Sequence, residues 1–117
     1  MAMDLSDYLQ NEAKQRHVKK SDIAFSTGIS ESYIYKIFTG TKHTKQRDYI
    51  IAICRAMNMS VVETQIALTL NGMDVLNPNK PRDWTIMACI NWEYGVHKTN
   101  SILEELKFES LKVRCDI

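Results

Sequence analysis

Between Lys14 and Arg47 the chain gathers side chains suited to binding an anionic polymer. Lys14, Arg16, Lys19, Lys20, Lys36, Lys42, Lys45 and Arg47 stand there with His17 and His43, against only two acidic residues, Asp22 and Glu31. Over all 117 residues, 15 basic and 14 acidic residues nearly cancel to a net +1, so the remainder of the chain is acidic. Such asymmetry in a small protein points to one face built for an anionic partner, with a solvated mixed surface as the plain alternative. Catalytic chemistry has no comparable signature. Cys54, Cys89 and Cys115 are far apart and lie among apolar residues, without a CxxC or zinc spacing, and read as small buried hydrophobes. His17, His43 and His97 have no cysteine or carboxylate at ligand spacing, and neither a glycine-rich phosphate loop nor HExxH occurs. The expectation is a non-enzyme without metal or cofactor.

The residues that would position this basic face fall on a helical period. Composition is ordinary for a globular protein, 44% hydrophobic and 25% charged, which excludes a collagen-like or disordered chain. A first helix is expected over 4–16, with Leu5, Tyr8, Leu9 and Ala13 as its stripe. A short second helix is expected over 21–27, with Ile23 and Ala24 inward and Phe25 a third candidate, ended by Gly28. Ser30 caps a third over 31–38, with Ile34, Ile37 and Phe38 on one face, stopped by Gly40. After a polar loop, a fourth helix over 46–57 has Tyr49, Ile50, Ile53, Cys54 and Met57 as its stripe. Ser60-x-x-Glu63 forms a capping box for a fifth, whose stripe reads Val62, Ile66 and Leu70 with Ala67 beside it.

The segment Lys19–Gly40 joins two short helices across Gly28-Ile29-Ser30. Small Ala24 permits a close crossing, Gly28 makes the sharp turn, Ile29 plugs the angle, and Ile34 and Ile37 hold the second helix to a core. This is a helix-turn-helix arrangement, whose second helix enters the major groove of duplex DNA. A generic helical hairpin is the alternative, but six offsets coincide here and further helices follow.

On those residues, together with the Thr39-Gly40 helix end, Ile50, Ile53 and the Met59-Ser60 junction, residues 4–70 resemble the lambda-repressor-like, Xre-type DNA-binding domain of bacterial and phage regulators. The resemblance implies five helices binding double-stranded DNA, usually as a dimer. It places Glu31, Ser32, Tyr33, Tyr35 and Lys36 toward base edges. It places Lys19, Lys20, Thr39, Thr41, Lys42, His43 and Lys45 along phosphates. Glu31 departs from the glutamine many relatives carry. A carboxylate repels phosphate yet accepts from cytosine N4; alternatively it only favours the helix N-terminus. Tyr33 and Tyr35 reach thymine methyls or sugars, or simply pack.

Beyond residue 72 the resemblance ends. Residues 73–81 hold both prolines and form a connector. A sixth helix is expected from Pro81 to Tyr94, apolar nearly all round, and a seventh over 98–107 with Ile102, Leu103 and Leu106 inward. The tail from Leu111 to Ile117 alternates like a strand. The expected architecture is therefore all-α: a helix-turn-helix domain over 1–72, and an extension over 73–117 that dimerises or completes the core. Trp84, Met87, Ile90, Trp92 and Val113 are the expected dimer interface. The expected function is a sequence-specific DNA-binding transcriptional regulator, a repressor, in the cytoplasm. No apolar run approaches a membrane span, and the N-terminus has no apolar signal region. The rival reading is a protein-interaction adaptor or antitoxin-type module with a protein partner, since fold does not fix function.

Overall fold

A computed structural model describes residues 3–111. Among them are seven helices and no strand: α1 (Leu5–Arg16), α2 (Lys20–Thr27), α3 (Glu31–Thr39), α4 (Arg47–Ala56), α5 (Val61–Leu70), α6 (Pro81–Asn91) and α7 (Val96–Glu105). The strand-like tail, with Val113 and Cys115, lies outside the described residues apart from Leu111.

Local chemistry explains most boundaries. Asp4 caps α1 by accepting from Asp7 N–H at 2.9 Å, and Ser30 caps α3 by accepting from Tyr33 N–H at 3.2 Å. Ser60 and Glu63 form the reciprocal capping box at 3.1 and 2.8 Å, which satisfies two N–H groups the first turn leaves without partners. Gly28 and Gly40 end α2 and α3 at φ 81° and 79°, a left-handed conformation that costs a β-carbon roughly 1–2 kcal/mol. Helix α6 stops at Asn91, three residues before the expected end.

Helix α4 is the hub. Tyr49 through Arg55 are all buried, so α4 is enclosed on every side, where the sequence stripe implied one covered face. It contacts α2, α5 and α7. A single apolar cluster runs from Tyr8 and Leu9 through Ile34, Phe38, Ile50 and Leu68 to Leu76, Ile86, Ile90, Leu103 and Leu111. Helices α6 and α7 thus share a core with α1–α5, and α7 packs on α2 and α4 directly. Buried Arg55 ties the two stretches together. It donates to the Tyr94 carbonyl at 2.9 Å and to the Met59 carbonyl.

Several expected inward residues face out. Phe25 is 92% exposed, because α2 is covered by α3, α4 and α7 on its other sides. Val62 and Ile66 of α5 are exposed, while Thr64, Ala67 and Leu68 are buried. The capping box sets the register of α5, and small residues at its contact face admit close approach to α4. Leu106 is exposed where Leu103 is buried. Cys54 and Cys89 are buried free thiols. Burial pushes the Cys54 thiol up to about 12, so it behaves as a hydrophobe and not as a nucleophile.

Candidate nucleic-acid interface

Helices α2 and α3 meet at a turn that is locked from within. The buried Thr27 hydroxyl donates to the Ile23 carbonyl at 2.7 Å and accepts from Ile29 N–H at 3.2 Å. One side chain therefore closes α2 and starts the turn, while Ile29 fills the angle behind it. Ala24 is half-buried against the core.

Successive residues of a helix are rotated by about 100°. On α3 that rotation puts Glu31, Ser32, Tyr35, Lys36 and Thr39 on one side, and all five are exposed. Ile34, Ile37 and Phe38 occupy the other side and are buried. Tyr33 belongs with them. It is half-buried, and its ring stands edge-on to buried Tyr49 of α4, with centroids 5.6 Å apart. The outward stripe of α3 is thus Glu31, Ser32, Tyr35 and Lys36, flanked by Thr39. Tyr35 is 59% exposed.

The loop after α3 folds back on it. Lys42 N–H donates to the Lys36 carbonyl at 3.0 Å. The hydroxyls of Thr39 and Thr41 lie 3.0 Å apart, and Thr39 donates to the Lys36 carbonyl at 3.3 Å. Lys42, His43 and Lys45 are exposed. From the other side, the Lys20 ammonium sits 5.5 Å from the Phe38 ring centroid. That cation–π contact brings the charge of half-buried Lys20 to α3. Lys19, exposed at the α2 N-cap, has its N–H bonded to the Asp22 carboxylate at 3.3 Å. The structure therefore gathers Lys20, Lys36, Thr39, Thr41 and Lys42 around the C-terminal end of α3.

Two of the eight basic residues read from the sequence do not join this face. Arg16 pairs with Glu12 at 2.9 Å and Glu63 at 2.7 Å, and Arg47 pairs with Asp83 at 2.6 Å. Lys20, Lys36 and Lys42 supply the charge around the end of α3, whereas Lys14 lies on α1. A band of exposed or half-buried lysines around an outward helix stripe can neutralise phosphates and leave Glu31, Ser32 and Tyr35 to meet base edges.

Sequence reasoning missed the residues that mount this surface. Besides Thr27, Gln10 of α1 donates to the Phe38 carbonyl, and Asn71 donates to the Thr44 carbonyl in the loop at 3.1 Å. Neither leaves a signal in the chain. The pairing of Arg47 with Asp83 does leave one: Arg47-Asp48 and Arg82-Asp83 are the same dipeptide at the starts of two helices.

Of the expected interface residues on α6, Trp84 and Trp92 are 59% and 71% exposed, and with Ala88, Ile102 and Leu106 they line an apolar groove of about 240 Å³. Ile90 is buried in the chain's own core, and Met87 is half-buried against it. No helix among the described residues is long and apolar enough to cross a membrane, and no three metal-ligating side chains cluster among them.

Comparison with protein families gives a match to the Cro/C1-type HTH DNA-binding domain over residues 8–63, from Tyr8 in α1 to Glu63 in α5. Neither a curated protein nor a solved structure matches the chain.

Proposed function

We propose, from the premise that residues 8–63 are a Cro/C1-type HTH DNA-binding domain, that the protein is a sequence-specific transcriptional repressor of bacterial or phage type. It reads the major groove of double-stranded DNA with α3. The observation that carries this reading is the outward stripe Glu31, Ser32, Tyr35 and Lys36 with Lys20, Lys42, Thr39 and Thr41 around it. Glu31, Ser32 and Tyr35 meet base edges. Lys36 stands between base and backbone. Lys19, Lys20, Thr39, Thr41, Lys42, His43 and Lys45 meet phosphates. Tyr33 contributes by holding α3 against α4, which its contact with Tyr49 supports.

The proposal includes a homodimer through α6 and α7, which would set two copies of α3 roughly 34 Å apart, the spacing of half-sites one helical turn apart on a pseudo-palindrome. The exposed Trp84 and Trp92 support it, because large apolar groups at a surface groove are typical interface anchors. Residues 73–111 also complete the core, as their shared apolar cluster supports.

A mobility-shift titration of mixed-sequence duplex DNA against salt tests the reading. If several lysines neutralise phosphates, affinity falls steeply with salt, with a log–log slope of about −0.9 per phosphate contact. Lys42→Ala weakens binding to every sequence alike and flattens that slope by about one contact. A chain that ignores duplex DNA at low salt is an interaction module instead, of adaptor or antitoxin type.

A further inference from the structure

The loop from Thr41 to Gln46 is tied to α3 at its start, through Lys42 N–H and Thr41, and to residues outside the helix-turn-helix in its middle and just past its end. In its middle, Thr44 is buried. The Thr44 carbonyl accepts from the Asn71 amide at 3.1 Å, and its hydroxyl accepts from Gln46 N–H at 3.1 Å. The loop then runs into Arg47, the first residue of α4. The Arg47 guanidinium donates twice to the Asp83 carboxylate, at 2.6 and 3.1 Å. Asp83 is buried in the first turn of α6 and also accepts from Asn77 N–H at 3.0 Å. Next to this pair stands its reverse: Arg82 donates twice to Asp48, at 3.0 and 3.2 Å, and also to the carbonyls of Glu109 and Ser110. Two Arg-Asp dipeptides thus face each other, each arginine gripping the other's aspartate.

A bidentate guanidinium–carboxylate pair is directional as well as strong. Two of them side by side fix both the position and the rotation of the α4 start against the α6 start. Only the six residues Thr41–Gln46 separate Gly40, the C-cap of α3, from Arg47. So short a chain has little slack, and the directions of Lys42 and Lys45 follow from where its ends are held. The helices that a groove-reading domain needs are α2 and α3; α6 lies outside the matched segment 8–63. Its tie to Arg47, just past the end of the loop, therefore reaches the domain from outside that segment.

We propose that Asp83 is a positioning residue for DNA contact, holding the loop Thr41–Gln46 through Arg47 so that Lys42 and Lys45 meet phosphates on the same duplex that α3 reads. The proposal rests on the DNA-binding reading above. Asp83 touches no DNA; it sets the presentation of cations that do. Without its carboxylate Arg47 loses its bidentate partner and the α4 start keeps only the Arg82–Asp48 pair; the C-terminal end of the loop then samples more conformations, and each phosphate contact is made at a larger entropic cost.

The test is a double-mutant cycle on the full chain, with Asp83→Asn and Lys42→Ala, read as affinity for a mixed-sequence duplex and its salt slope. Circular dichroism confirms that each variant is folded. Asp83→Asn alone is expected to weaken binding several-fold and to flatten the slope by about 0.9 or more. Lys42→Ala, costly in the wild type, is expected to cost less than about twofold in the Asp83→Asn background, because the contact it deletes is already lost. A loss of fold stability alone does not change the number of phosphates a folded protein neutralises, so the slope separates positioning from mere support. Additive losses, or an Asp83→Asn protein with the wild-type slope, overturn the proposal. Should Asp83→Asn fail to fold, Arg47→Lys keeps the charge but breaks the bidentate pair with Asp83, and runs the same cycle with the same two outcomes. A wild-type chain that binds no duplex removes the DNA-binding reading and this inference together. That result shows before any substitution is made.

Discussion

Tyr33 and Tyr49 stand edge to face, their planes at 88°. That contact joins the first turn of α3 to the first turn of α4, and it separates two tyrosines that the sequence treats alike. Tyr33 packs against the core, while Tyr35, two residues on, is exposed. An edge-to-face pair adds about 0.5–1.5 kcal/mol to the area the rings bury. Tyr33→Ala is therefore expected to lower the unfolding free energy by about 2 kcal/mol in urea titrations. Tyr35→Ala should stay within about 0.5 kcal/mol of the parent, yet weaken binding to duplex DNA. Equal stability losses in the two variants would reject this division of roles.

The helix-turn-helix is legible in the chain because each of its parts is a local decision. Gly28 and Gly40 mark positive φ, Ser30 and the Ser60–Glu63 box mark helix starts, and the offsets of Ile23, Ile34 and Ile37 mark one buried face. What is not legible depends on tertiary arrangement. Phe25 looks inward on its own helix, but the neighbours of α2 lie on its other sides. The α5 stripe of Val62 and Ile66 is apolar and exposed, because Ala67 and Thr64 are the residues small enough for the close face. Asn71, which holds the loop at Thr44, and Asp83, which holds Arg47 just past its end, come from 27 and 36 residues away along the chain, where no periodicity reaches. The basic face is smaller than the sequence implies for the same reason: only the fold brings Arg16 and Arg47 to their carboxylates.

Acid should destabilise the protein through specific carboxylates. Glu63 is held below its ordinary value of 4.5, first by the Ser60 backbone N–H and also by Arg16. Asp83 is held below its ordinary value of 3.8; burial alone would raise it, but the Arg47 hydrogen bonds and the Asn77 N–H prevail. Each folded-state carboxyl takes its proton at lower pH than the unfolded one. The stabilisation is therefore present above the unfolded values and is lost as pH falls from about 5 toward 3. Denaturant midpoints measured across that window are expected to fall, and Glu63→Gln should lower the midpoint at neutral pH while making the acid decline shallower. A midpoint independent of pH through that range would contradict the assignment.

The groove between Trp84, Trp92 and Leu106 predicts self-association. Sedimentation velocity on the full chain is expected to show a dimer at tens of micromolar. Trp92→Ser, which alters a side chain 71% exposed in the protomer, should shift the chain to monomer with little change in its circular dichroism. A monomeric wild type at that concentration, or a variant that dimerises as well as the parent, would remove the homodimer from the proposal.

Whether α3 reads sequence is decided most directly by selecting bound duplexes from a random library with the wild type and with Glu31→Gln in parallel. Glu31 is exposed in the first turn of the outward stripe. A carboxylate there accepts from cytosine N4, whereas glutamine suits the N6 and N7 of adenine. The expected result is one enriched motif for the wild type and a motif changed at a defined position, in each half-site, for the variant. No enrichment from the wild type, or the same motif from both proteins, would contradict the account.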